Sequence, residues 1–406
     1  MTTGAVRVLR DRNAGLYLGG VVVSGFGTSA MVLASGVWVK TLTDSNALAA
    51  LTGVCLWLPT LFGPVIGVAA DRVDRARLLV RGNLAMGLVL CVLLGVRSED
   101  QVGIVFGVLL VYGVSGVLLD AAEAGLVATT VPAEVRGDFN GLRMTANEGM
   151  KLLAPLAGAG LFARYGGHAV AALDAATFAV AALAFTCVRV ERAGREPSVE
   201  TESDRSWRRD TVEGVRYLWS HPALRRLVGA GALTMAAAGL NGAAVYAVVD
   251  EGLERAPEFA GVLYAVQGAG SVLSGVLAGP LMRRLSERGF AAAGIAVFGV
   301  GVAIRAFGDT TLVLTGSALV GVGLPCVIIA AMTAVQNRTP EGLVGRVAAT
   351  AGTVVFAPNA VAAGAGAGLV AVVDYRAVLA AAVVVTALAG GLLVRRAAVL
   401  AAQSSS

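Results

Sequence analysis

Histidine and lysine are nearly missing from this chain, with two of each in 406 residues, and charged residues of all kinds make up only 15% of it. An ordinary soluble domain is roughly a quarter charged, so this scarcity excludes a soluble enzyme. His168 and His221 fall in separate segments, and no H-E-x-x-H occurs, which leaves no paired-histidine cluster for an intramembrane catalyst. The four cysteines, Cys55, Cys91, Cys187 and Cys326, lie inside apolar runs without any C-x-x-C spacing. They support neither a disulfide framework nor a zinc site, and they are expected to be buried small hydrophobes. No G-x-x-x-x-G-K-[ST] loop is present, so direct drive by ATP is unsupported, and neither a metal nor a cofactor is expected.

What the chain has instead is apolar surface: 56% of its residues are hydrophobic, and the mean hydropathy is +0.76. Sustained over this length, that value makes lipid the solvent for most of the molecule. Glycine supplies 53 residues, nearly twice the average share of about 7%. Such a bias suits membrane helices, which approach closely through small residues because no hydrophobic effect drives them together.

A bilayer core takes about 20 apolar residues per helix. Cutting the chain where charges or turn residues interrupt such runs gives twelve spans, at 14–39, 47–70, 78–96, 102–130, 141–163 and 168–188, then 227–249, 259–282, 289–307, 311–335, 347–373 and 377–394. The runs are too long and continuous for barrel strands, which are about 10 residues and alternate. The fold class is therefore an all-α membrane protein of twelve transmembrane helices in two pseudo-symmetric six-helix bundles, 1–188 and 227–406, joined by a linker at 189–226. The first span follows a basic N-terminus and has no small-residue cleavage site, so it reads as a helix and not as a cleaved signal.

The net charge of +5 belongs to topology. With the N-terminus inside, inside segments carry about 23 Lys and Arg and outside segments about 5, which by the positive-inside bias makes both termini cytoplasmic. No nucleic-acid partner is needed to explain the basic excess. Within the linker, 192–206 has the composition of a flexible tether. The following stretch puts Val212, Val215, Leu218 and Trp219 on one helical face, and an amphipathic helix along the inner membrane surface is expected. The halves also echo one another: VPAEVRG (Val131 to Gly137) after span four matches TPEGLVG (Thr339 to Gly345) after span ten. A repeat in corresponding loops is the mark of a duplicated transporter with its site between the halves.

Between spans two and three the chain reads PTLFGPVIGVAADRVDRARLL, Pro59 to Leu79. This segment resembles the major facilitator superfamily: Gly67, Asp71, Arg72, Arg75 and Leu79 fit its G-x-x-x-D-R-x-x-R inner-loop signature, while Asp74 and Ala76 depart from the usual residues. SGFGTS (Ser24 to Ser29), TLTDSNAL (Thr41 to Leu48) and the stretch ANEGMKLLAPLAG leading to FARYGGHAVAALDAATF extend the likeness to nearly the whole chain. Together they resemble the twelve-span efflux branch that includes macrolide and siderophore exporters. The resemblance implies an inner-gate latch at Gly67, Asp71, Arg72 and Arg75; the alternative is that these residues serve topology alone. It likewise implies an antiporter motif in span five at Gly149, Pro155 and Gly158, where Ala154 and Ala159 replace glycines; ordinary small-residue packing is the alternative.

Ionisable residues inside apolar runs are informative, because each costs at least about 2.5–3.5 kcal/mol at a helix centre unless paired or hydrated. Asp120 and Glu123 share a face of span four, as Glu148 and Lys151 share a face of span five. At 1.5 Å per residue all four lie about 10–18 Å from the inner ends of their spans. Three carboxyls against one cation make them candidates for proton coupling, with a neutralised structural network as the alternative. Arg81 and Arg305 are expected to snorkel to the inner and outer interfaces. Asp174 in span six is expected to be structurally paired. Asn241, Gln267 and Asn359 are candidates to line a cavity or to hydrogen-bond between helices.

These readings converge on a secondary active transporter of the bacterial inner membrane. The expectation is proton-coupled efflux of a small amphipathic compound such as a drug, natural product or siderophore; import or facilitated movement of a small metabolite is the alternative. Its expected partners are that substrate, protons and the lipid bilayer, and it is expected to work as a monomer.

Overall fold

The computed structural model describes residues 12–63, 66, 73–130, 133–188, 203–340 and 343–394. Its secondary structure is helical throughout: α1 (Arg12–Thr43), α2 (Asn46–Trp57, continued by a tight turn Leu58–Phe62), α3 (Arg75–Cys91), α4 (Val102–Thr130), α5 (Ala133–Thr186), α6 (Ser203–Ser220), α7 (Pro222–Ala243), α8 (Ala260–Ile304), α9 (Thr310–Arg338), α10 (Val344–Val370) and α11 (Tyr375–Val394). Two of these are each a pair of spans. α5 breaks at Gly166, where φ is 74°, and α8 breaks at Ser286, where φ is 61°. Divided at those breaks, the described residues form twelve helices besides α6, six on either side of it, consistent with a twelve-span membrane fold.

Local chemistry fixes several helix starts. Ser45 Oγ accepts from the Leu48 amide at the head of α2, and Asp309 Oδ1 from the Leu312 amide at the head of α9. Asp74 does the same for α3, accepting from the Arg77 amide at 3.0 Å. Each satisfies an amide with no partner inside its own helix. The break at Gly166 allows the next residue to sit against the Trp38 indole, in space that a Cβ on Gly167 would occupy. His168 stacks edge-on against the same indole and lies 2.6 Å from the Val96 carbonyl, closing one end of the bundle.

The structure divides into two compact units: residues up to Ala193 with Arg255–Ala265, and Gly194–Glu254 with Val266 onward. In the first unit, α1 packs mainly on α5 and also on α2, while α3 lies between α4 and α5. In the second, α7 packs on α10 and α11. The same spans thus pair in both units, the first of each six with the last two. A ring cluster of Tyr17, Phe139 and Phe185, with centroids 5.4 Å apart, ties span one to the beginning of span five and the end of span six. The second unit is centred on Leu224, Val228, Phe290, Ile295, Val327 and Val355.

The amphipathic helix predicted in the linker is α6, and the second unit holds it by one face. Leu218 is buried, and Gly214 lies close to the Arg346 carbonyl and the Thr350 hydroxyl of α10. Glu213 pairs with Arg346 at 2.6 Å, and the Tyr217 hydroxyl donates to the Arg338 carbonyl at 2.8 Å. Val212, Val215 and Trp219 remain exposed. They form the apolar stripe that an interfacial helix would lay into lipid.

Two expectations are corrected here. Cys55 and Cys326 are buried, but Cys91 and Cys187 are exposed on the outward faces of their spans. An apolar run in a membrane protein does not imply an interior position, since lipid accepts the thiol as readily as a protein core does. Arg305 does not snorkel: it is 1% exposed. The tight turn Arg305–Phe307 and the left-handed Gly308 end α8 so that the Arg305 stem packs onto Gly316, and its guanidinium donates to Asn241 Oδ1 at 2.7 Å.

Candidate functional site

The most fully built polar site in the first unit gathers spans one, four and six around Asp174. Its carboxyl is fully buried. The Tyr112 hydroxyl of α4 lies 2.8 Å from Asp174 Oδ2, and the Thr177 hydroxyl, one turn on, lies 3.1 Å from Oδ1. Tyr112 is also 2.9 Å from the Thr28 hydroxyl of α1, and Phe178 packs edge-on against its ring. Gly27 makes room for the arrangement, because a Cβ there would overlap both Asp174 Oδ1 and the Thr177 hydroxyl.

Among the described residues every hydrogen-bond partner of the Asp174 side chain is a hydroxyl. That fact shapes what the site can do. A hydroxyl both donates and accepts, whereas an ammonium or guanidinium can only donate. Tyr112 has one hydrogen and two oxygen neighbours, so it donates to one and accepts from the other. With Asp174 ionised, Tyr112 donates to the carboxylate and accepts from Thr28; with Asp174 protonated, the acid donates to Tyr112, which donates to Thr28. Both protonation states keep every hydrogen bond. Thr28 is only half-buried, so this chain of hydroxyls runs from the accessible side of span one to a carboxyl sealed from solvent.

The residues singled out in the sequence are distributed as follows. Gly67, Asp71 and Arg72 lie outside the described residues, and Arg75 is the first residue of α3, half-buried. The start of α3 is capped by Asp74, which the inner-loop signature does not include. Glu123 is buried and Asp120, three residues earlier on α4, is exposed. Glu148 and Lys151 lie on the first arm of α5, and their side chains fall outside the described residues. Pro155 and Gly158 are buried; Gly158 abuts the Ala30 backbone of α1, where a Cβ would lie 2.9 Å from the carbonyl oxygen, while Gly149 has open space around it. At Gly158 the span-five motif makes a close helix contact within the unit.

In the second unit the three amide residues do not converge on one point. Asn241 accepts from Arg305, and Asn359 donates to the Met235 carbonyl at 3.1 Å, linking α10 to α7. Gln267 is half-buried on α8, and its backbone carbonyl faces Gly321 of α9. Interhelical bonding accounts for the first two. Near the break in α8, Glu287 binds Arg338 at 2.5 Å and Asn337 at 3.1 Å. This contact between the start of span nine and the end of span ten was not anticipated from the sequence. Arg81, by contrast, is exposed near the head of α3.

Asp174 itself was visible in the sequence, but its partners were not. The signals that could have found them were a tyrosine in the apolar first stretch of span four, ahead of Asp120, and the Gly-Thr pair in SGFGTS.

The family model described as Major Facilitator Superfamily matches residues 16–254 and 227–405 of this chain. No curated protein matches it by sequence. Among solved structures, a bacterial homologue of the iron transporter ferroportin in an inward-facing state is similar over 96% of this chain and 98% of its own, with a TM-score of 0.73 at 17% identity. A nucleoside transporter is similar over 93% and 98%, with a TM-score of 0.74 at 12% identity. A D-xylose-proton symporter is similar over 93% and 96%, with a TM-score of 0.67 at 13% identity. At these identities the likeness is one of fold.

Proposed function

The chain belongs to the major facilitator superfamily, whose fold is that of membrane transporters and not of enzymes, and from that premise we propose that it exports a small amphipathic compound in exchange for protons. The observation that carries the proton coupling is the Asp174 site, a buried carboxyl whose hydroxyl partners accommodate either protonation state. An ion-paired structural carboxylate would be expected to have a cation beside it. A proton symporter among the structural neighbours agrees with proton chemistry in this fold. Export is supported by the resemblance to the efflux branch, and an amphipathic substrate by the scarcity of fixed charge in the spans.

Asp120, Glu123, Glu148 and Lys151 form the second set of coupling groups in this proposal, and Glu123 is the one seen buried. The test is a comparison of Asp120→Asn, Glu123→Gln, Glu148→Gln, Lys151→Met and Asp174→Asn in everted vesicles at several external pH values. At least one carboxyl variant should lose pH-driven transport yet keep substrate exchange, since scaffold and cavity remain. Wild-type pH dependence in all five would remove proton coupling from the account. The inner latch is tested apart: Asp71→Asn keeps shape and removes charge, so transport should fall while expression persists. Wild-type transport across a substrate range would make Asp71 a surface charge only.

The proposed topology has both termini and the 189–226 linker in the cytoplasm of a bacterial inner membrane. Cysteines introduced at Ser206 and Ser404, in a background without the four native ones, should react with an impermeant maleimide only after the cells are opened. Labelling of either in intact cells would reverse the orientation.

A further inference from the structure

An open cleft of about 280 Å³ lies between the head of α3 and the end of α5, lined by Ala76, Arg77, Val80, Arg81, Phe185 and Val188 together with Thr186. At about 30 Å³ per water it has room for about nine waters, enough for a phosphodiester headgroup. Arg77 and Arg81 are one helical turn apart on the same face of α3, and both are exposed. Among the described residues neither guanidinium makes an ion pair, in contrast to Arg338, which binds Glu287, and Arg346, which binds Glu213. Asp74 is turned to another task, since its carboxylate caps the Arg77 amide.

The charged pair opens onto an apolar surface. Continuing along α3 at helical spacing from Arg81, Leu84, Leu88 and Val92 are exposed, at 47%, 72% and 53%. Across the cleft, Val180 and Leu183 of α5 are exposed beside them. In a spanning helix such exposure is contact with acyl chains. Two cations without an ion pair among the described residues, at the mouth of a lipid-facing stripe, match a molecule that is anionic at one end and apolar along its length.

We infer that this cleft binds an anionic phospholipid, with the phosphate on Arg77 and Arg81 and an acyl chain along Leu84, Leu88 and Val92. Basic pockets between spans at a membrane surface have this chemistry. A free phosphate would meet the same two guanidiniums, but it would have no use for the stripe. The inference rests on the membrane-spanning fold and on neither the direction of transport nor its coupling; under the proposed topology the lipid belongs to the inner leaflet.

Native mass spectrometry of the purified full chain, titrated with dioleoyl phosphatidylglycerol or dioleoyl phosphatidylcholine, tests it. Each basic residue near an anionic lipid is worth about fivefold, so Arg77→Gln with Arg81→Gln should weaken phosphatidylglycerol binding about twenty-fivefold. Arg283→Gln with Arg284→Gln, which removes two exposed arginines from the second unit, should leave it unchanged. Leu84→Ser with Leu88→Ser should also weaken binding, and inorganic phosphate should not displace the lipid. Equal binding by wild type and the Arg77 and Arg81 double variant would overturn the inference. So would equal loss in both arginine pairs, which is generic charge attraction, or displacement by inorganic phosphate with no effect of the leucine substitutions, which is a free-anion site.

Discussion

Asp174→Asn should lower transport driven by a pH gradient by about a hundredfold or more, because a proton carrier replaced by an amide has nothing to release. The substitution nearly preserves volume, and the amide can still bond the Tyr112 and Thr177 hydroxyls that lie 2.8 and 3.1 Å from the carboxyl oxygens. Folding and substrate exchange at equal pH should therefore persist. Removing one partner at a time should have graded effects. Tyr112→Phe deletes the hydroxyl that bonds both Asp174 and Thr28, and at about 1 kcal/mol for each of the two hydrogen bonds it is expected to slow pH-driven transport about thirtyfold. Thr177→Val should cost less, since it leaves the Tyr112 contact intact. Gly27→Ala reaches the same site sterically, because its methyl would overlap Asp174 and Thr177. Initial rates with and without a gradient, beside counterflow at equal pH, separate the two roles. A merely structural Asp174 would depress both rates together.

The second large effect is on assembly, in the crossing of spans eight and nine with span ten. A Cβ on Gly301 would lie 2.7 Å from the Gly316 carbonyl oxygen, and one on Gly316 2.6 Å from the Gly301 carbonyl oxygen. Gly294 and Gly323 face each other in the same way, and Gly321 meets the Gln267 backbone. Because the obstacle is backbone and not a flexible side chain, Gly323→Ala must separate two helices. Overpacking of this kind costs about 1–3 kcal/mol, and Gly323→Leu should prevent a stable fold. Gly107→Ala should have the opposite sign. Nothing lies within 4 Å of a Cβ there, so alanine restricts the unfolded chain without strain and adds about 0.4–1 kcal/mol. Thermal unfolding in detergent compares the three variants directly. Equal midpoints for Gly323→Ala and Gly107→Ala would show that close helix approach is not what the glycines provide.

These effects also show what was legible before the structure. Lipid leaves backbone groups no partner but their own helix, so each span appears as a long apolar run, and the glycine excess announces close packing. The turns at Gly166 and Ser286 are so short that two spans run together as one helix on either side of each; the runs of apolar sequence mark both pairs better than the helix boundaries do. What the sequence hides is direction around each helix. Cys91 and Cys187 face outward, Arg305 faces inward, and hydropathy treats both orientations alike. The Asp174 site was hidden for another reason: Thr28, Tyr112 and Asp174 are brought together only by tertiary packing, from positions 84 and 62 residues apart. Glycine at position 27 gains its meaning only once the carboxyl is seated over it.

Proton movement coupled to substrate is the central claim, and purified protein in proteoliposomes with a trapped pH indicator measures it most directly. A panel of amphipathic antibiotics and siderophores is added under an imposed pH gradient. At least one compound should move against protons, dissipating the gradient in proportion to its own flux, and Asp174→Asn should abolish that dissipation. Transport of a panel compound at a rate independent of the gradient, with no accompanying proton flux, would contradict the account.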